Sequence, residues 1–237
     1  MCKVYVITSG KGGVGKTTLT ANLSAAIARE GYKVLVIDMD VGLRNLDVIM
    51  GLENRIIYNL VDVLEGKCRV SQAIVASHRT DNLYLMPAAQ SRTKEQIDGE
   101  KICQLLILLR EEFDYIFLDC PAGIEKGFMN SCRYADEAIL VVTPDVAAVR
   151  DADRVLGILS DIEIPCEKLI INRYKPLLAI KGDCLKDKDI ERILNTCVLG
   201  TVPDSSAVIK NNNHGIDLIP EKKRVAKAYK ELASALI

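Results

Sequence analysis

The sequence predicts an α/β fold, a doubly wound and mostly parallel sheet flanked by helices. Two observations predict it. Short apolar runs alternate with segments of helical periodicity almost from end to end, and most of those runs are continuous rather than alternating, as strands covered on both faces require. A third observation bounds it: 237 residues that are 49% hydrophobic and 27% charged are enough to bury a large core, so disorder is excluded as the main state. No Pro- or Ser-rich linker and no internal repeat divides the chain, so 1–237 is expected to be a single domain.

The expected strands are Val4–Thr8, Val34–Asp38, Leu83–Met86, Tyr115–Asp119, Ala138–Thr143, Lys168–Asn172 and Val198–Val202. Between them, Leu19, Leu23, Ala26 and Ile27 form one helical stripe. Ile102, Leu105, Leu106 and Leu109 form a second, and Val149, Ala152, Val155, Leu156 and Leu159 a third. Two stretches break the alternation and are expected to be loops, 40–45 and 172–188, the latter on account of Pro176 and Gly182. Both follow strands, and the carboxyl ends of strands are where an open α/β sheet binds ligands. The last segment, 221–237, reads as a helix with Val225, Tyr229, Leu232 and Leu236 on one face and Lys222, Lys223, Arg224, Lys227 and Lys230 around it. Core packing with solvated lysines is its expected role; contact with an anionic membrane is the other reading of a basic amphipathic helix.

Composition narrows the function classes. A net charge of -1 argues against coating nucleic acid through bulk charge, and no uninterrupted apolar stretch reaches membrane-spanning length. Eight cysteines occur with no CxxC pair and only two histidines, so they are expected to be buried free thiols of a cytoplasmic protein.

Chemistry concentrates after the first strand. Gly10-Lys11-Gly12-Gly13-Val14-Gly15-Lys16-Thr17 fits GxxxxGK[ST] between a strand and an apolar-striped helix, the context that a phosphate loop requires. Glycines let the backbone wrap closely enough for N–H groups to point at phosphate oxygens, and the following helix N-terminus favours anions. Lys16 then reaches the β- and γ-phosphates, and the Thr17 hydroxyl takes a place on Mg²⁺. ATP and Mg²⁺ are the expected cofactors. Two strands end in acids, Asp38 and Asp119, which suits a magnesium site beside such a loop. Asp38 and Asp40 share a face on extended backbone, so one can order the metal's waters while the other positions the attacking water. Asn172 ends a later strand, and its amide offers both the donor and the acceptor that adenine needs, although an Asn there also stabilises turns. Arg150, Asp151, Asp153 and Arg154 lie on a helix with an apolar stripe, where charges usually form a solvated face.

The run Lys11-Gly12-Gly13-Val14-Gly15-Lys16-Thr17-Thr18 resembles the deviant Walker A motif of the MinD/ParA family of P-loop ATPases, SIMIBI-class NTPases. Further matches are Asp40-Val-Gly-Leu-Arg-Asn-Leu-Asp47, Pro87-Ala-Ala-Gln-Ser-Arg92, Asp119-Cys-Pro-Ala-Gly-Ile-Glu125 and Val149-Arg-Asp-Ala-Asp-Arg154, so the likeness spans essentially the whole chain. It is similar to the family's cell-division branch in the segment carrying Asp38, Asp40, Arg44 and Asn45, which corresponds to switch I. The resemblance implies an ATP-dependent homodimer in which Lys11 acts in trans on the partner's phosphates, Gly10 to Thr18 bind phosphate, Asp40 handles the water, and Asp38 with Thr17 and Asp119 serves the metal. It implies that Asn172 reads adenine while 202–204, Pro203 included, closes over the ring. The helix with Arg150, Asp151, Asp153 and Arg154 would then face a MinC-like inhibitor and a MinE-like activator, with septum placement as the function and no nucleic acid partner. A short membrane-targeting helix after Ile237 is normal in that branch, giving an ATP-bound protein peripheral to the inner face of the membrane; it does not appear in this sequence. The same engine serves ParA-like partitioning of DNA or cargo, or flagellar placement, which is the alternative function. An iron–sulfur ATPase, suggested by Cys120 and Cys132 after Asp119, lacks the glycine-rich cluster loops of that class.

Overall fold

The structure is a computed structural model that describes residues 1–42, 45–90, 98–121, 123–124, 126–215, 218–221 and 223–237. Its strands are β1 Lys3–Thr8, β2 Val34–Asp38, β3 Val75–Ala76, β4 Leu83–Met86, β5 Tyr115–Asp119, β6 Glu137–Val142, β7 Lys168–Tyr174 and β8 Cys197–Pro203. Helices are α1 Lys16–Arg29, α2 Leu46–Met50, α3 Leu60–Leu64, α4 Val70–Ala73, α5 Gly99–Leu109, α6 Lys126–Cys132, α7 Val146–Asp161, α8 Pro176–Lys181, α9 Asp187–Leu194, α10 Ser206–Asn213 and α11 Arg224–Leu236.

The strands form one sheet in the order β3-β4-β2-β5-β1-β6-β7-β8, parallel except at the β3–β4 edge. Period-two alternation divides the central strands between two cores. Val4, Val6, Leu35, Ile37, Ile116 and Leu118 face one, under α5 and α7. Tyr5, Ile7, Val34, Val36 and Phe117 face the other, under α1 and α11. This is why the strand sequences lack a polar face.

The helices start where the chain offers a cap. Asp98 accepts from Glu100 N–H at 3.0 Å to open α5, and Asp145 accepts from Ala148 N–H at 3.0 Å to open α7. The three predicted stripes are buried, Leu156 only in part, and so are Val225, Tyr229, Leu232 and Leu236 on α11, which confirms its core-packing role. No helix among the described residues is long and apolar enough to cross a membrane.

Two expectations are corrected. The 172–188 stretch is not a loop. It continues β7 to Tyr174 and then forms α8, because Pro176 sits in the first turn, where its missing N–H costs nothing, and Gly182 ends the helix in a left-handed cap at φ 84°. The two residues taken as breakers are the helix boundaries. The cysteines are all free thiols, but only Cys2, Cys120 and Cys132 are buried; Cys197 is exposed and the other four are intermediate. The edge strand β3, two residues long, falls below what apolar patterning detects.

The amino end of β1 is stapled at the sheet's lower edge. Asp136 accepts from Val4 N–H at 2.7 Å and from both terminal nitrogens of Arg110 at 2.7 and 3.0 Å, while Arg110 also donates to the Cys2 carbonyl. Burial pushes the Asp136 carboxyl up, but the Arg110 guanidinium and the Val4 N–H outweigh it and hold the group below the usual carboxylate range. A depressed folded-state pKa adds stability that is complete above the unfolded value and is lost as pH falls through the folded one. Asp136→Asn is therefore expected to lose about 1–3 kcal/mol at pH 7 in urea unfolding. The gap to wild type should close as pH drops below about 4, where the carboxyl of the unfolded chain begins to protonate while the folded one still holds its charge. Equal stability at pH 7 would show that the staple contributes nothing.

Candidate nucleotide site

The site assembles at the carboxyl ends of β1, β5 and β2. Parallel register sets Ile7 opposite Asp119 and Asp38 opposite Asp119, so the two strand-end acids lie level with the start of the loop 9–15. Main-chain hydrogen bonds extend the alignment past the strands, from Cys120 N–H to the Ile7 carbonyl and from Met39 N–H to the Asp119 carbonyl.

Loop 9–15 enters α1 through Gly15, whose φ of 97° is left-handed, and Leu19 N–H closes the first helical turn on the Gly15 carbonyl at 2.9 Å. Gly10 and Gly15 are also demanded by space. A Cβ on Gly10 would stand 2.1 Å from the Asp151 carbonyl oxygen of α7, and one on Gly15 would stand 2.3 Å from Asn172 Nδ2. Gly12 and Gly13 are exposed, so the loop's outer face is open.

Both lysines have intramolecular partners. Lys16, 7% exposed, donates from Nζ to Ser9 Oγ at 2.8 Å, and Ser9 Oγ donates to the Lys11 carbonyl at 2.8 Å. The Lys11 ammonium reaches out to Asp145 Oδ1 at 3.5 Å, with both side chains near half exposure. Burial raises the Asp145 carboxyl, but the Thr143 hydroxyl, the Ala148 N–H and Lys11 together hold it below its ordinary value. An ion pair this exposed contributes at most about 1 kcal/mol, so Lys11 leaves it cheaply.

The acids are compressed. Asp119 is fully buried; burial pushes it up to about 6 against hydrogen bonds from Thr17 and Thr20 and the charge of Lys16. Thr20 Oγ1 lies 3.0 Å from both Asp119 Oδ1 and the Lys16 carbonyl. Burial first and then the Asp119 charge drive Asp38 well above the carboxylate range, in spite of N–H donors from Asp40 and Leu46. Asp38 Oδ2 is buried with no hydrogen-bond partner among the described residues. Two buried carboxylates, Asp38 raised in part by the charge of Asp119 and carrying one oxygen with no partner among the described residues, beside a threonine hydroxyl are a donor set that fits a hard divalent cation such as Mg²⁺.

Two cavities flank the loop. One of about 710 Å³ is lined by Lys11, Gly13, Asn172, Pro203, Asp204 and Ile209 among others. The other, about 660 Å³, is lined by Lys16, Thr17, Thr18, Asp40, Asn45 and Cys120 among others. Pro203, expected beside an adenine ring, lines the first of these cavities. Asn172 lines the same cavity, but its Nδ2 donates to the Val14 carbonyl at 2.7 Å and its Oδ1 accepts from Arg173 N–H at 2.9 Å. It ties the phosphate loop to β7 as well as lining that cavity. Arg150, Asp153 and Arg154 are exposed on α7, and Asp151 is half-buried beneath Gly10. Arg44 lies outside the described residues, whereas Asn45 is exposed at the start of α2.

Sequence reasoning missed Ser9, Thr20, Asp145 and Asn212, whose Nδ2 donates to Thr18 Oγ1 at 2.9 Å. Thr20 had a signal: it is a polar residue on the buried face of α1, one turn beyond Lys16. Asp145 and Asn212 had none, since their distance from the loop in sequence exceeds 120 residues.

Comparison with known proteins agrees with this geometry. Residues 2–170 match the family described as "AAA domain". The chain is 49% identical to the septum site-determining protein MinD of Bacillus subtilis, over all of this chain and 90% of that one. Among solved structures, it superposes on a MinC:MinD cell division protein complex of Aquifex aeolicus with a TM-score of 0.93 and 43% identity, covering 99% of this chain and 96% of that one. On the septum site-determining protein MinD of Pyrococcus horikoshii complexed with Mg-ADP, the TM-score is 0.90 at 29% identity, over 100% and 96% of the chains. A ParA family ATPase from Chlorobium tepidum, at 23% identity, shares the fold alone. With identity this high over the whole length and a complete phosphate loop in place, the chain belongs to the MinD family of septum site-determining P-loop ATPases.

Proposed function

We propose that this chain is a septum site-determining ATPase, an ATP-driven switch that dimerises on ATP and separates on hydrolysis, with residues 1–237 working as one ATPase domain. The observation that carries the reading is the alignment of Lys16, Thr17, Asp38 and Asp119 at one sheet edge, in a chain whose relatives share the whole fold. The partitioning alternative is not favoured, because the likeness to ParA proteins is far weaker.

Lys16 exchanges its Ser9 contact for the β- and γ-phosphates and offsets their charge. Gly10 to Thr18 supply main-chain and hydroxyl donors around them. Thr17, Asp38 and Asp119 would hold Mg²⁺, which neutralises phosphate charge when bound. Asp40, tied to Asp38 by its own N–H at 2.9 Å, orients the attacking water in the inner cavity. Lys11 leaves Asp145 and completes the site of a second copy, so neither site is whole alone. Asn172 and Pro203 take the base. Asn45, with Arg44, responds to the terminal phosphate. Arg150, Asp151, Asp153 and Arg154 present the partner face. A MinC-type inhibitor is the first candidate there, since the Aquifex relative is described in complex with MinC. Stimulation by a MinE-type activator and peripheral attachment to the membrane complete the reading.

Gel filtration with ATP and Mg²⁺, read beside phosphate release, tests it. Lys16→Ala is expected to lose nucleotide affinity by about 10- to 100-fold and stay monomeric. Asp40→Ala should bind ATP, accumulate as dimer and hydrolyse about 10²-fold more slowly or worse. If it hydrolyses at the wild-type rate, Asp40 does not handle the water.

Lys11→Ala separates the trans role from simple binding. The variant should bind ATP within a few-fold of wild type, because the Lys11–Asp145 pair that it removes is half-exposed. It should nevertheless fail to dimerise and to hydrolyse. Chelation of divalent cations with EDTA is expected to abolish hydrolysis by wild type; undiminished turnover in EDTA would overturn the assignment of Thr17, Asp38 and Asp119.

A further inference from the structure

We infer that Asn212 is a phosphate-facing positioning residue of the nucleotide site, donating through its side-chain amide to the phosphate chain beside Thr18. The inference rests on the ATPase reading and adds to it a residue from the far end of the chain.

Asn212 lies in the last turn of α10, 194 residues after Thr18, and its Nδ2 donates to Thr18 Oγ1 at 2.9 Å. An amide nitrogen carries two N–H groups. One goes to Thr18, and the second has no partner among the described residues. The residue lines both cavities, together with Gly13, Gly15, Thr18 and Arg173. A nucleotide with its base at Pro203 and its terminal phosphate at Lys16 and Asp40 has to cross that shared wall. Its phosphates therefore pass the Thr18–Asn212 pair.

The amide is held there from two sides. Asn211 Nδ2 donates to Glu221 Oε1 at 2.9 Å. Gly215 packs on Gly51 at the end of α2 so closely that a Cβ on Gly51 would stand 2.7 Å from the Gly215 carbonyl oxygen. The Asn212 main-chain carbonyl is occupied too, accepting from Gly215 N–H at 3.2 Å. With carbonyl and backbone engaged elsewhere, the side chain is what α10 presents to the loop. A neutral donor suits the place, since Lys16 already supplies positive charge and a second hydroxyl, Thr18, needs its direction fixed.

The test is titration of the full chain with fluorescently labelled ADP and Mg²⁺, comparing wild type, Asn212→Ala, Asn212→Asp and Lys16→Ala. Removing one neutral hydrogen bond should weaken ADP about 3- to 10-fold in Asn212→Ala. Asn212→Asp has the same shape but sets a carboxylate against phosphate, so it should bind at least 10-fold more weakly than Asn212→Ala, with the difference shrinking as salt rises. Thermal unfolding without nucleotide should be alike for wild type and both variants, which a purely structural role for Asn212 does not give. ADP affinity in Asn212→Asp equal to that of Asn212→Ala overturns the inference. Should the aspartate variant fail to fold, wild-type affinity in Asn212→Ala overturns it equally. If Lys16→Ala loses ADP while both Asn212 variants keep it, only this inference falls. If wild type itself does not bind ADP, the ATPase reading falls and takes the inference with it.

Discussion

Everything at the site depends on strand register. The parallel pairing of β5 with β1 and β2 leaves no freedom in where the acids stand relative to the phosphate loop: Asp119 is level with Ile7, one residue before the last of β1, and with Asp38, the last of β2. A slip of one residue would turn either acid into the opposite core, because successive side chains face opposite sides of the sheet. The apolar runs that make these strands are thus also the ruler that spaces the carboxylates. The same burial that holds the ruler raises both acids, and Asp38 Oδ2 has no partner among the described residues. The core packing and the raised acids are one fact seen from two ends.

The second constraint is electrostatic. A buried ammonium needs a partner, and Lys16 donates to the Ser9 hydroxyl, which in turn is oriented by the Lys11 carbonyl. The two lysines of the loop are linked through one serine, while the Lys11 head group is parked on Asp145. The loop is therefore shaped by contacts among its own residues and with Asp145.

Much of this was legible in the sequence, for reasons particular to each part. Continuous apolar runs gave seven strands within about one residue at most ends, because a sheet covered on both faces leaves its mark on every position. The loop motif located Lys11, Lys16 and Thr17, since glycines at fixed spacing have few other uses. The α8 helix was misread because Pro176 and Gly182 act as boundaries and not as breakers, a distinction that depends on the five residues between them. Asn172 illustrates the opposite limit. Its amide chemistry suggested a base reader, yet only the fold shows it bonded to the Val14 carbonyl, 158 residues away. Asp145 and Asn212 escaped for the same reason: their roles come from tertiary neighbours that no local pattern records.

One contact has a mechanical meaning. At Gly10 the phosphate loop meets α7 backbone against backbone, with no room for even one methyl group before the Asp151 carbonyl. Side chains interposed between two segments act as a cushion, since rotamers can yield. Here there is no cushion, and any change in the position of α7 at Asp151 has to be met by the loop's own backbone. The exposed charges of Arg150, Asp153 and Arg154 ride on the same helix. The outer surface of α7 and the residue next to Lys11 are thus separated by the thickness of one helix.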